Sequence, residues 1–270
     1  MIVEYNRPGT IQEALDLLAR KEPVSVPMGG GSALNRYSLA PLAVVDLQAL
    51  PLDRILQNSE NIELGATVTL QAFYNFIIET PDLPLALHTA LLQEANNNLR
   101  QVATLAGTLV AGTGRSPLVT VLLALDATLT TLSRTGEDVI SLGDFLPARG
   151  EYLPGRLITK IQLPRPIRLA FDYVARSPAD QPIVCAALAQ WPGKRTRLAL
   201  GGYGLAPVLV LDGLHPEGVE AAAQNAYSQA GDVWASAEYR REVAGILARR
   251  CLSELNDLTQ DAAHISGSLS

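Results

Sequence analysis

Two cysteines and three histidines are all that 270 residues offer for thiol, imidazole or metal chemistry. Cys185 and Cys251 lie far apart with no CxxC around either. That excludes a disulfide framework or an iron–sulfur ligand set and predicts buried thiols in a reducing compartment. His88, His215 and His264 fall into no triad or metal spacing. Charge is sparse as well: 18% of residues are charged, the net charge is −6, and the basic residues are scattered. No basic face for nucleic acid results, and an acidic balance by itself bears on solubility, not on ligand. No apolar run reaches the ~18 residues of a membrane span. Glu4 and Arg7 stand where a signal peptide would carry its apolar core, and there is no Asn-x-Ser/Thr site. The expectation is a soluble cytoplasmic chain without a membrane span.

What is present is 48% apolar residue, enough for a large core and one or two domains. "GTIQEALDLLARK" carries a cap at Thr10 and Glu13 three residues on, a capping-box helix. "PVSVPM" and "LAVVDLQAL" read as strands on either side of a glycine run. From Leu52, "DRILQNSENIELGATVTL" predicts a hairpin across Asn-Ser-Glu-Asn, and "TLQAFYNFIIETP" and "LPLALHTALLQEA" predict helices. "LLALDATLTTLSRTGEDVISLGDFL" reads as strand–turn–strand, and "GRLITKIQLPRP" as an extended segment. Beyond Ile167, "RLAFDYVARS", "IVCAALAQW" and "RTRLALGGYG" predict a three-stranded antiparallel sheet, followed by two helices. The domains expected are 1–165, subdivided 1–51 and 52–165, then 166–262, with a disordered tail at 263–270.

Gly29, Gly30 and Gly31 form a run that costs conformational entropy unless something needs a bare backbone there. A dinucleotide GxGxxG and a GxSxG nucleophile elbow around Ser32 both fail at Leu34. A tight turn or an anion-binding nest of peptide N–H groups remains. A second stretch, "ATLAGTLVAGTGRS", places Gly107, Gly112 and Gly114 among Thr104, Thr108 and Thr113, with Arg115 next. It lacks the Lys-Ser/Thr of a P-loop. Two such loops are suited to clamping one diphosphate from both sides.

The ordered set of segments resembles the FAD-binding medium subunit of the molybdenum hydroxylases, the family of carbon monoxide dehydrogenase medium chains and xanthine dehydrogenase flavin domains. "YNRPGTIQEALDLLAR", Gly29–Leu34, "VVDLQAL", "IELGATVTL", "LRQVATLAGTL", "LLALDA" and "RLALGGYGLAP" match its pieces in order. The resemblance implies an α+β chain: an N-terminal βαβ piece and a mixed α/β FAD-binding domain (PCMH-like, type 2), then a small antiparallel sheet packed with helices. It implies FAD as cofactor, with Gly29, Gly30, Gly31, Ser32, Ala33 and Leu34 in the first phosphate loop. Thr104, Gly107 and Thr108 would form the second, and Arg115 would add charge beside it. It also implies an oxidoreductase subunit without an acid–base residue of its own. Its partners would be a molybdopterin-binding large subunit, a 2Fe-2S small subunit and an acceptor such as NAD or quinone, with no nucleic acid.

The sequence departs from the family pattern at Ala33, at Ala106 and Thr108, and near Pro117. A methyl at Ala106 would oppose a positive φ. The rival expectation is therefore the same fold with an eroded FAD site, kept as a docking scaffold. Other residues have simpler readings: Tyr173 and Arg176 in cross-strand packing, Asp180 in a turn, and Arg240, Arg241, Arg249 and Arg250 on a solvated helix face. Trp191 and Trp234 are expected in the core or at a subunit contact.

Overall fold

A computed structural model describes residues 1–34, 41–165 and 167–267, with side chains to 257. In chain order the elements are β1 (Ile2–Asn6), α1 (Ile11–Leu18), β2 (Val24–Met28), β3 (Leu42–Asp46), β4 (Ile55–Gln57), β5 (Asn61–Gly65), α2 (Leu70–Glu79), α3 (Leu85–Glu94), α4 (Asn97–Val102) and α5 (Leu105–Ala111). There follow α6 (Pro117–Ala124), β6 (Thr128–Ser133), β7 (Gly136–Ser141), α7 (Leu142–Tyr152), β8 (Leu157–Pro164), β9 (Arg168–Val174), β10 (Val184–Gln190), β11 (Thr196–Gly201), β12 (Val208–Gly213), α8 (Val219–Ala226) and α9 (Ala237–Gly267). The chain forms two compact units. One comprises residues 1–79, 95–112 and 126–165; the other comprises 80–94, 113–125 and 166–270.

In the first unit, β1, β3 and β2 make a parallel sheet in that order. Helix α1 starts where its caps dictate: Thr10 Oγ1 accepts from the Glu13 amide, and the Glu13 carboxylate accepts from the Thr10 and Gly9 amides. Its apolar face, Ala14, Leu15 and Leu18, packs on Val45, Leu47 and Leu50. The second sheet of this unit is antiparallel, β4-β5-β8-β6-β7. Its first hairpin turns where expected, with Asn58 Oδ1 accepting from the amides of Glu60 and Asn61 at 2.8 Å each.

In the second unit, β12-β11-β10-β9 form an antiparallel sheet. Ala186, Leu188, Leu198 and Leu200 on one face meet Ala244, Leu247, Ala248, Cys251 and Leu255 of α9. Strand residues alternate, so Cys185 points the other way, where its sulfur meets the Thr120 hydroxyl of α6 at 3.6 Å. Both cysteines are buried free thiols, as their isolation in the sequence suggested.

Several expectations change. The sheet has four strands, not three, because β12 is a half-exposed edge strand with no clean alternation. "LLALDA" lies in and just after helix α6, not in a strand. Ser116 caps that helix and Pro117 opens it, and all eight of its residues are buried, which erases the helical period. "SLGDFL" starts helix α7, capped by Ser141, instead of ending a strand. Segments 80–94 and 113–125, expected in a continuous 1–165 domain, pack with the second unit. Helix α9 runs to Gly267, so the tail expected at 263–270 is helical over its first five residues. Residues 268–270 and the boundary residue 166 lie outside the described residues.

Candidate functional site: a glycine-lined cavity in the first unit

Strand β2 runs straight into Gly29, Gly30 and Gly31, and each glycine is there for a different steric reason. A Cβ on Gly29 would lie 2.5 Å from Thr104 Oγ1. One on Gly30 would lie 1.4 Å from the backbone oxygen of Val102. Gly31 has φ +73°, a left-handed conformation that L side chains rarely adopt. The turn that follows is closed by the Leu34 amide donating to the Gly31 carbonyl at 3.1 Å. Among the described residues, the amides of Gly30, Gly31, Ser32 and Ala33 donate to nothing.

The second glycine stretch is a helix start, not a loop. Thr104 is the N-cap of α5, and its Oγ1 accepts from the Gly107 amide at 3.2 Å. The segment before it is pinned by reciprocal bonds, Leu70 N to Ala103 O and Leu105 N to Val68 O, at 2.9 Å each. Thr108 turns its hydroxyl back to the Thr104 carbonyl at 3.0 Å, the usual habit of a helical threonine. Ala106 sits inside α5, and only Asp126 and Lys194 among described non-glycine residues have positive φ. The strain expected at Ala106 is absent, because local capping turned the predicted loop into ordinary helix.

Between these elements lies a cavity of about 420 Å³, a size usual for cofactor and small-molecule sites. Val24 to Leu34 line one side of it; Thr104, Ala106, Gly107, Val110 and Ala111 line another. A third wall, missed in the sequence, comes from the end of α7 and the start of β8: Arg149, Leu153, Gly155, Arg156 and Ile158. The Pro154–Gly155 turn was its one visible signal. Arg149 Nη1 donates to the carbonyls of Gly112 at 2.7 Å and Leu109 at 3.3 Å, holding the C-terminal end of α5. Desolvation lowers its pKa. Arg156 pairs with Asp138, which raises its pKa, and lies 4.6 Å over the Tyr152 ring.

The expected site residues thus divide. Gly29 to Leu34, Thr104 and Gly107 share the cavity wall, whereas Thr108 does not line it. Arg115 does not line it either. It belongs to the second unit, where its guanidinium donates to the carbonyls of Pro182 at 2.9 Å and Gln181 at 2.5 Å. Among the described residues no group of three His, Cys, Asp or Glu side chains is placed to hold a metal, and no helix is long and apolar enough to cross a membrane.

Residues 1–166, which contain every wall of this cavity, match the family described as the FAD binding domain in molybdopterin dehydrogenase. The chain belongs to that family. It is an oxidoreductase flavoprotein with FAD as its cofactor. YgfM of Escherichia coli K12, itself uncharacterized, is 29% identical over 269 residues, covering 97% of this chain and 100% of that one. The nicotine 6-hydroxylase medium subunit of Paenarthrobacter nicotinovorans is 28% identical over 274 residues, 93% of this chain and 96% of that one. The fold is that of a chain in reconstituted CO dehydrogenase from Oligotropha carboxidovorans, with a TM-score of 0.78 at 24% identity over 93% of this chain and 96% of that one.

The cavity suits an FAD on its own chemistry. Amides that donate to no described residue, in a loop where two glycines have no room for a side chain, suit the acceptor oxygens of a pyrophosphate. Apolar lining such as Val26, Leu153 and Ile158 suits aromatic ring surface. The departures at Ala33 and Thr108 leave the donors intact, because they are backbone N–H groups.

Proposed function

We propose that this chain is the FAD-carrying electron-transfer subunit of a molybdopterin-dependent hydroxylase or dehydrogenase. It would stand between a 2Fe-2S partner subunit and an external acceptor such as NAD or quinone, with the molybdopterin on a large partner subunit. One observation carries the reading: the glycine turn, held against Val102 and Thr104, lines an apolar cavity in a chain of this family, and its amides donate to no described residue. When bound, FAD supplies the exchange between one-electron and two-electron carriers.

The chain's own residues bind and orient. The amides of Gly30 to Ala33 would hold the phosphates. Thr104 spends its hydroxyl on the helix cap and so keeps the facing wall rigid. Arg149 fixes the far end of that same helix. Ser32 is the first side chain after the glycines and lines the cavity, so its hydroxyl would add a donor beside the phosphates. No described side chain has to donate or accept a proton for this relay.

The test is purification of the protein with its flavin content measured by absorbance, followed by FAD titration of the stripped chain. Stoichiometric flavin, and reduction of that flavin by substrate only in the presence of the partner subunits, is the expected result. A colourless chain that takes up no FAD would leave the docking-scaffold reading in its place.

A further inference from the structure

A positive charge beside the cavity, which the sequence assigned to Arg115, comes instead from the third wall. Among the described side chains that line the cavity, the charged ones are Arg149 and Arg156, and no carboxylate lines it, on a chain of net −6. Arg149 directs its Nη1 to the Leu109 and Gly112 carbonyls and so belongs to the packing of α5. Arg156 is placed differently. It ends a turn closed by its own amide, which donates to the Leu153 carbonyl at 2.9 Å, with Gly155 at φ +72° allowing the reversal. That turn delivers the guanidinium to the cavity wall.

Arg156 is held from outside the cavity. Its Nη1 donates to the Asp138 carboxylate of β7, and its guanidinium lies 4.6 Å over the Tyr152 ring. The ring is itself fixed: its hydroxyl shares a hydrogen bond with Thr131 Oγ1 at 2.8 Å, and it packs edge-to-face with Phe145. Neither Asp138 nor Tyr152 lines the cavity. The Asp138 side chain is 54% exposed and that of Arg156 25%. Water therefore screens much of the carboxylate, while the guanidinium stays on the cavity side. Asp138 aims Arg156 more than it cancels it. Among the described residues, the Nε and Nη2 hydrogens of Arg156 meet no acceptor. A guanidinium fixed in plane and at one nitrogen keeps those donors as a pre-ordered fork, the geometry that suits phosphate oxygens.

We infer that Arg156 is the side chain that grips the diphosphate of FAD, donating through Nε and Nη2 to phosphate oxygens that the glycine turn would hold from another wall. The inference rests on the cavity being the flavin site. The diphosphate is the part of FAD with the charge and the acceptors for a guanidinium, whereas the ring systems suit the apolar lining. Because Asp138 and Tyr152 already order the fork, little side-chain freedom is lost when it binds.

The experiment titrates the stripped full-length chain with FAD at low and high salt, comparing wild type with Arg156→Gln, Arg156→Lys and Gly31→Val. Loss of a solvated ion pair costs little stability, so Arg156→Gln keeps the fold, which its melting temperature without FAD verifies. Should it fail to fold, Arg156→Lys, which retains the ion pair, carries the same comparison. The expected result at low salt is FAD affinity lowered at least about tenfold in Arg156→Gln. Arg156→Lys, which keeps the charge without the fork, should lose less, and the glutamine deficit should shrink at high salt. Unchanged affinity in Arg156→Gln beside a loss in Gly31→Val would overturn the role of Arg156 and leave the cavity as the flavin site. An equal loss in both Arg156 variants that salt does not diminish would overturn it too, because the residue would then only fill the wall. Unchanged affinity in all three variants would overturn the cavity reading along with it.

Discussion

Gly30 approaches Val102 so closely that a Cβ would fall 1.4 Å from the Val102 carbonyl oxygen. The two glycine-bearing stretches of the sequence therefore meet backbone against backbone, and one wall of the cavity is registered on the other. Replacing Gly30 by Ala forces one main-chain segment off the other. It should destabilise the first unit by about 3 kcal/mol, the upper range for an overpacked site, and weaken FAD binding with it. Thermal unfolding and flavin titration of the variant check this; an unchanged melting temperature would mean that the contact yields easily.

Gly31 differs in kind, since its requirement is conformational. Its φ of +73° costs a β-branched residue roughly 1–2 kcal/mol, whereas Asn tolerates that region. Gly31→Val should therefore lose FAD affinity and some stability, and Gly31→Asn should retain most of both. Equal losses would show that space, not backbone angle, governs this position.

Ala106 is the departure from family pattern that argued for a weakened site. In the structure it occupies ordinary helix, 9% exposed. Ala106→Gly should cost about 1 kcal/mol of helix stability and leave FAD affinity unchanged. A variant that bound FAD more tightly would show that the methyl does hinder the cofactor.

Glu94 closes α3 and caps α6 in the second unit, accepting from Ser116 Oγ at 2.6 Å and the Leu118 amide at 3.0 Å. Desolvation raises its pKa against the opposing pull of those two donors. A raised carboxyl contributes stability below the ordinary glutamate value that is lost as pH rises through its folded value. Glu94→Gln keeps an acceptor and removes the charge. Its melting temperature should gain on wild type between mildly acidic and neutral pH; parallel curves would contradict the shift.

Much of the first unit was legible because its signals are local. Thr10 and Glu13 fix the start of α1, and Asn58 fixes the turn between β4 and β5, through bonds spanning three residues or fewer. Helix α6 was not legible, since burial on every side removes the polar face that marks a helix. Arg240 was misread for a related reason. Its neighbours Arg241, Arg249 and Arg250 are exposed, and only the folded chain supplies the carbonyls that make burial of one arginine tolerable.

The sequence by itself determined that residues 29–31 leave the backbone bare, because glycine is a local fact, while the resemblance to a family set Thr104 and Gly107 beside them. Only the tertiary structure decided why each glycine is required. Val102 and Thr104 arrive from a segment far along the chain, and steric exclusion between distant backbones leaves no local trace. Only the tertiary structure, too, decided the partners of Arg115, because the two carbonyls and the Trp234 indole face that its guanidinium meets come from residues more than sixty positions away.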